Sequence, residues 1–292
     1  RRGDWWGQVK RYNQYKFNVD KIRFRSIEDR LKALELFKKG DLDFYPIYTA
    51  KIWAKQTEFD SVQKNWVVRQ RVYNKEPLGF QGLAFNMRRP MFQDLKVRRA
   101  LAYMLNRDLM NEKYMYNQYF MLNSYFPDLY DNNLNKDVEL IKYDPTKARQ
   151  LFKEAGWTVN AEGKLEKEGK PMKITMITAS SDLRHASLFK EHLKEIGVEL
   201  VFEKMSWSTL SKRMDQFEFD VYWAAWGATR LRDPESMWHS SEAMEIASNN
   251  ITGVKDKVID ELIELQRTEK DLIKRNEILK KIDKRMNKIQ PY

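Results

Sequence analysis

Residues Phe219-Asp220-Val221-Tyr222-Trp223-Ala224-Ala225-Trp226-Gly227-Ala228 form an almost wholly apolar run. It opens into a polar segment, Thr229-Arg230-Leu231-Arg232-Asp233-Pro234. A short apolar run without polar alternation predicts a strand covered on both faces, as in a mixed or parallel sheet. In such sheets ligands sit just beyond the carboxyl ends of the strands. Two tryptophans and two arginines at that place offer flat apolar surface beside hydrogen-bond donors. The competing reading puts both tryptophans in the core, where large aromatics mostly lie.

The rest of the pattern is also α/β. Ile22 and Phe24 alternate in a half-buried strand over 21–25, and Glu28 to Lys39 follows as a helix stopped by Gly40. Asp41–Phe44 starts a second strand, giving a β-α-β-like unit, and a short helix near 50–56 and a strand near 66–72 follow. Tyr12, Tyr15 and Phe17 precede the unit, which is too small to bury a core well alone. Lys75-Glu76-Pro77-Leu78-Gly79 is the first break.

Beyond it, Phe80–Met87 is apolar, and Asp94 caps a helix with Val97, Ala100, Leu101, Met104 and Leu105 on one face. Asp108 starts the next helix. Residues 117–143 read as loop, and Asp144-Pro145 opens a helix that Gly156 ends. A charged hairpin over 159–170 leads to a strand at 172–178. Ser180-Ser181-Asp182 caps a helix closed by Gly197, and a strand at 198–202 and a helix at 205–215 bring the chain to the focal strand. A polar connector at 248–253 precedes two helices, near 256–267 and 269–289.

Composition narrows the function classes. A 42% apolar fraction over 292 residues supports a real core, and no run of 18 apolar residues offers a membrane-spanning helix. The chain opens at Arg1 without a charged-then-apolar leader, which reads as a mature chain or a fragment. A formal charge of +11 suggests nucleic acid first. However, Lys and Arg are scattered among 42 acidic residues, and runs such as Lys280-Lys281 to Lys284-Arg285 have the spacing of a solvated helix face. Cysteine is absent, so thiolate chemistry and cysteine metal sites are excluded. His185 and His192 stand seven apart, too far for a helical metal pair, and His239 has no partner in sequence. Asp41 and Asp43 flank a helix-to-strand turn. No phosphate loop, dinucleotide fingerprint, nucleophile elbow or zinc motif occurs. The balance moves toward binding, with no catalytic residues, metal or cofactor expected. A hydrolase on an α/β scaffold and a basic nucleic-acid binder remain the alternatives.

Four blocks carry a resemblance. The first is Asp4-Trp5-Trp6-Gly7 with Ala33-Leu34-Glu35-Leu36-Phe37-Lys38-Lys39-Gly40-Asp41-Leu42-Asp43. The second is Phe85-Asn86, then Phe92, Asp94, Val97-Arg98-Arg99-Ala100-Leu101 and Asn106-Arg107-Asp108. The third is Tyr143-Asp144-Pro145-Thr146-Lys147-Ala148 with Leu151, Ala155 and Gly156, and the fourth is Phe219-Asp220-Val221 to Trp226-Gly227 and Asp233-Pro234. In this order they resemble the carboxyl-terminal part of the oligopeptide/nickel-type extracytoplasmic solute-binding proteins of ABC transporters. Residues 15–25, Thr49-Ala50-Lys51 with Trp53-Ala54, and 69–81 look most like the YejA-type members.

The resemblance implies a fold like the type II periplasmic binding proteins: a mixed sheet flanked by helices, with one nearly complete lobe and a remnant of the other. Residues 1–78 would be the partial first lobe and 79–289 the second, with crossovers near 75–80 and 289–292. It implies a periplasmic or extracytoplasmic protein, monomeric at full length. Such a protein clamps a peptide or peptide-like ligand and delivers it to a membrane permease. Trp207 matches a pocket-lining tryptophan, and Trp223 and Trp226 match the strand end facing the cleft. The ligand would then meet Gly227, Ala228, Thr229, Arg230 and Arg232. In oligopeptide binders an aspartate three residues after the last tryptophan holds the ligand's amino terminus; Thr229 stands there instead. Arg230 and Arg232 favour a carboxylate or another anionic group.

Overall fold

The structure is a computed structural model describing residues 4–13, 16, 19–27, 29–180 and 183–292, with only the backbone of Gln8. Tyr15, Phe17, the expected helix start at Glu28 and the expected cap residues Ser181 and Asp182 lie outside the described residues. The chain divides into two compact units, Arg1–Gln70 and Arg71–Tyr292.

The first unit holds three short helices, α1 (Arg30–Lys38), α2 (Ala50–Lys55) and α3 (Asp60–Gln63). Asp29 caps α1 by accepting the Lys32 amide at 2.8 Å. Leu34 and Ile52 are buried, and Phe37 packs against Tyr45 and edge-on to Phe59. The strands expected at 21–25, 41–44 and 66–72 are not formed among the described residues. Those segments have no opposite strand among the described residues, and Phe24, Phe44 and Val68 stand 91%, 79% and 80% exposed. Alternation supplies a face for a strand; only a second strand supplies its hydrogen bonds.

In the second unit β1 (Phe80–Phe85) leads to α4 (Leu95–Tyr103) and α5 (Arg107–Tyr114). Asp94 caps α4 as expected, through the Lys96 amide at 2.8 Å. The cap of α5 is Asn106, accepting from the Leu109 amide at 3.0 Å, so Asp108 lies in the first turn rather than starting the helix. Next comes α6 (Pro145–Glu154), capped by Asp144. The charged stretch forms a three-stranded meander, β2 (Thr158–Val159), β3 (Leu165–Lys167) and β4 (Lys170–Pro171). The chain continues through β5 (Lys173–Thr178), α7 (Arg184–Lys194), β6 (Glu199–Lys204), α8 (Trp207–Asp215) and β7 (Val221–Trp226). It closes with α9 (Glu235–Trp238), α10 (Lys257–Thr268) and α11 (Leu272–Ile289).

The main sheet runs β1-β7-β5-β6 and is mixed: β7 is antiparallel to β1 and parallel to β5, which is parallel to β6. Helices cover both faces. Leu83, Phe85 and Val221 pack with Leu101, Phe152 and Phe189 on one side. Ala84, Ile177, Phe219 and Ala224 pack with Leu210 of α8 on the other. A further cluster joins α9, α10 and α11 through Trp238, Ile263 and Ile282.

Three arginines, Arg98 buried and Arg88 and Arg107 half-buried, bind backbone carbonyls. Arg98 on α4 donates to the Ile289 carbonyl at 2.6 Å and the Gln290 carbonyl at 3.1 Å, holding the end of α11. Arg88 donates to the Ala243, Asn250 and Ile251 carbonyls. Arg107 donates to the Leu122 and Ile141 carbonyls. Burial pushes Arg88 and Arg98 down to about 10. Asp283 of α11 does the converse, accepting from the Tyr125 amide at 2.7 Å, Tyr130 at 2.9 Å and Asn135 at 2.9 Å.

Candidate functional site

The focal strand overhangs its neighbour. β7 pairs with β1 along its whole length, Phe85↔Val221 to Phe80↔Trp226. With β5 it pairs only at Met176↔Val221. β5 stops at Thr178, two residues past that pair, whereas β7 runs five past it to Trp226. The Asn86 amide donates to the Asp220 carbonyl at 3.0 Å, which fixes the alternation. Tyr222, Ala224 and Trp226 therefore turn their amides and carbonyls to β1, while Val221, Trp223 and Ala225 turn theirs to the β5 side. At Ala225, which is exposed, no β5 residue stands opposite. The strand is thus paired on both edges only at its beginning, around Val221.

The same alternation separates the tryptophans. Trp223 shares a face with Gln81 and Leu83, whereas Trp226 shares one with Phe80 and Tyr222. The Trp223 indole N–H donates to Gln81 Oε1 at 3.4 Å, and its ring meets His185 edge-on at 4.7 Å. A hollow of about 680 Å³ is walled by Gln81, Leu105, Met110, Tyr119, Trp223 and Trp226. A smaller one of about 190 Å³ is walled by Trp207, Leu210, Met214, Tyr222, Trp226 and Asn249. Trp226 belongs to both. Trp207, the first residue of α8, is 68% exposed, because Ser206 caps the helix through the Thr209 amide and leaves the ring at the rim.

Beyond β7 the backbone is open. A Cβ at Gly227 would meet nothing within 4 Å. Ala228 is half-buried, Thr229 and Arg230 are exposed, and the Thr229 hydroxyl donates to the Leu231 carbonyl at 3.2 Å. Arg232 is placed differently. Its side chain is only 10% exposed, pairs with Asp128 at 2.6 Å and lies over the Phe126 ring. Its charge is already matched within the fold, so of the two arginines only Arg230 stands open to solvent.

The structure thus brings Trp207 and Trp226 into one hollow, puts Trp223 on the opposite face, and runs Gly227 to Arg230 on from the strand end. Tyr222 was legible in principle, since residues 222 and 226 share a face at period two. The participation of Gln81, Met110 and Tyr292 had no local signal.

Residues 1–245 match the bacterial extracellular solute-binding proteins, family 5 Middle. The chain belongs to that family. The uncharacterized protein y4wM of Sinorhizobium fredii is 29% identical over 90% of this chain and 45% of its own length. YejA of Escherichia coli, also uncharacterized, is 27% identical over 89% of this chain and 48% of its own. The chain therefore spans about half the length of these curated relatives. The oligopeptide-binding protein AppA of Bacillus subtilis, solved with a nonapeptide, superposes with a TM-score of 0.77 over 91% of this chain and 52% of its own, at 24% identity. That likeness shows the fold, the mixed helix-flanked sheet of the type II periplasmic binding proteins.

Proposed function

We propose that this chain serves the solute-binding component of an ABC importer, capturing an oligopeptide or peptide-like ligand and delivering it to a membrane permease. The observation that supports it most is the overhang of β7. Among the described residues no strand stands opposite its Ala225 edge, whose amide and carbonyl an extended peptide backbone can use as a further strand does. Trp207 and Trp226 offer apolar wall to side chains on one face of that strand and Trp223 on the other. Gly227 and Ala228 let a ligand backbone approach closely. Arg230 favours an anionic group on the ligand, and Thr229 gives no charge to hold a free amino terminus.

In this reading residues 79–289 are the second lobe, residues 1–78 part of the first, and the chain crosses near 75–80 and 289–292. Closure of the two lobes would exclude water from the ligand. The setting is periplasmic or extracytoplasmic, and no covalent chemistry is required. AppA, whose structure holds a nonapeptide, supports the peptide class.

The test is calorimetry with a pool of synthetic tri- to pentapeptides on wild type and Ala225→Pro. Proline removes an amide that faces away from β1, so the ladder survives. The expected result is binding by wild type and loss in Ala225→Pro. Equal binding by both, or none by wild type, rejects the reading.

A further inference from the structure

Behind Trp226 lie four polar atoms sealed from solvent with no hydrogen-bond partner at ordinary geometry among the described residues. They are the indole Nε1 atoms of Trp226 and Trp238, the Thr252 hydroxyl and the Tyr292 phenol oxygen. They come from the end of β7, from α9, from the connector before α10 and from the segment after α11. The fold gathers them. Tyr292 packs with Trp238 in one apolar cluster and with Trp226 and Ile251 in another. Phe80, the cross-strand partner of Trp226, meets the Tyr292 ring edge-on at 5.2 Å and the Trp238 ring at 6.4 Å. Burial pushes the Tyr292 phenol up to about 12, while Trp238, Trp226 and Thr252 pull it back.

Four unpaired buried polar groups in one place are costly and rare in native proteins. The atoms have almost no accessible surface, so bulk solvent does not reach them. Their chemistry leaves a closed solution that small shifts can reach. An indole nitrogen only donates, a phenol oxygen accepts twice and donates once, and a threonine hydroxyl accepts.

We propose that Tyr292 is a positioning residue for the ligand site: its phenol oxygen accepts from Trp226 and Trp238 and donates to Thr252, fixing the ring that both hollows share. The functional half of this rests on the reading of β7 as the ligand strand. The hub also has a mechanical consequence. The segment carrying Tyr292 is held by the Phe85 amide on the Pro291 carbonyl at 2.9 Å and by Arg98 on the Gln290 carbonyl. Trp226 is thereby tied to the segment after α11, and a ligand that turns the ring pulls on that segment.

The test reads hydrogen exchange of the tryptophan indole protons in isotope-labelled protein without ligand. Wild type is compared with Tyr292→Phe, which keeps the ring and removes the hydroxyl. The expected result is protected Trp226 and Trp238 indole protons in wild type and exchange of both about tenfold faster in the variant. The backbone amide of buried Ile177 reports that the fold is intact. Unchanged Trp226 indole exchange overturns the proposal, as does a crystal structure with a water bridging the four groups. A second arm measures affinity for the synthetic peptide pool. Tyr292→Phe is expected to weaken it about fivefold, the effect of one lost hydrogen bond. A wild type that binds no peptide defeats the ligand reading, while the exchange arm decides the hub separately; equal peptide affinity in both proteins overturns the positioning role.

Discussion

A Cβ built on Gly79 would lie 1.8 Å from the Trp226 carbonyl oxygen, a position no side chain can share. The glycine is there because the backbone before β1 runs directly against the end of β7. Gly79→Ala must therefore push the two strand ends apart, at a cost of about 1–3 kcal/mol. Urea denaturation should show a lower midpoint, with the slope unchanged. Gly227→Ala has open space and should move the midpoint by less than about 0.5 kcal/mol equivalent. Equal effects from the two would show that the contact is not tight. In the sequence Gly79 reads only as part of a chain break, because the atom it avoids is 147 residues away in the numbering, at Trp226. Local capping was legible where Asp94 and Asp144 sit one residue ahead of a periodic helix. The tryptophan positions were half legible: their place at the strand end could be read, but a three-residue spacing on a strand divides them between faces.

Among the elements, the arginine-bearing block gains a physical explanation. Arg98 closes the carbonyl end of α11, whose last groups lack partners in their own helix. Arg98→Met keeps the bulk but leaves those carbonyls unpaired, and should cost about 2–4 kcal/mol in a thermal or urea melt. A neutral result would mean that water serves the helix end instead. The start of α10 carries a second tie. Asp256 caps it through the Ile259 amide at 3.1 Å and receives Arg285 of α11 at 2.6 Å. Burial raises the Asp256 pKa, but the Arg285 and backbone hydrogen bonds outweigh that and hold it below the usual 3.8. A carboxylate depressed on folding stabilises the protein above its unfolded pKa. That contribution is lost as pH falls through the lower folded value. Asp256→Asn keeps a capping oxygen and removes the charge. It should cost about 1–3 kcal/mol at neutral pH and converge on wild type as acid titrates Asp256. A constant difference down through that range would assign the loss to the cap.

For the whole molecule, the expected strands of the first unit are the instructive miss. The alternation of Ile22 and Phe24 is real, but pairing is a property of two segments, and only one is legible in a local window. Among its described residues this unit of 70 contains three short α-helices and a buried apolar set of Leu34 and Ile52. Trp66 within the unit, and Val72 and Tyr73 just after it, are largely exposed as well. A unit this small buries too little apolar surface to offset its chain entropy comfortably. The second unit holds a four-stranded sheet with helices on both faces, so the two should differ sharply in stability. In this 292-residue chain, backbone amides over residues 19–27 and 66–70 should exchange near the unprotected rate, while those of β5 and β7 exchange only on global opening. Limited proteolysis should cut first within the first unit and leave a resistant core beginning near Arg71. A hydrophobic dye should bind the intact chain and much less of that core, because the exposed Phe24, Phe44 and Trp66 leave with the cut segment. Slow exchange over 19–27, or undiminished dye binding by the core, would show that these apolar side chains are covered in solution and that the segments carrying them have found partners.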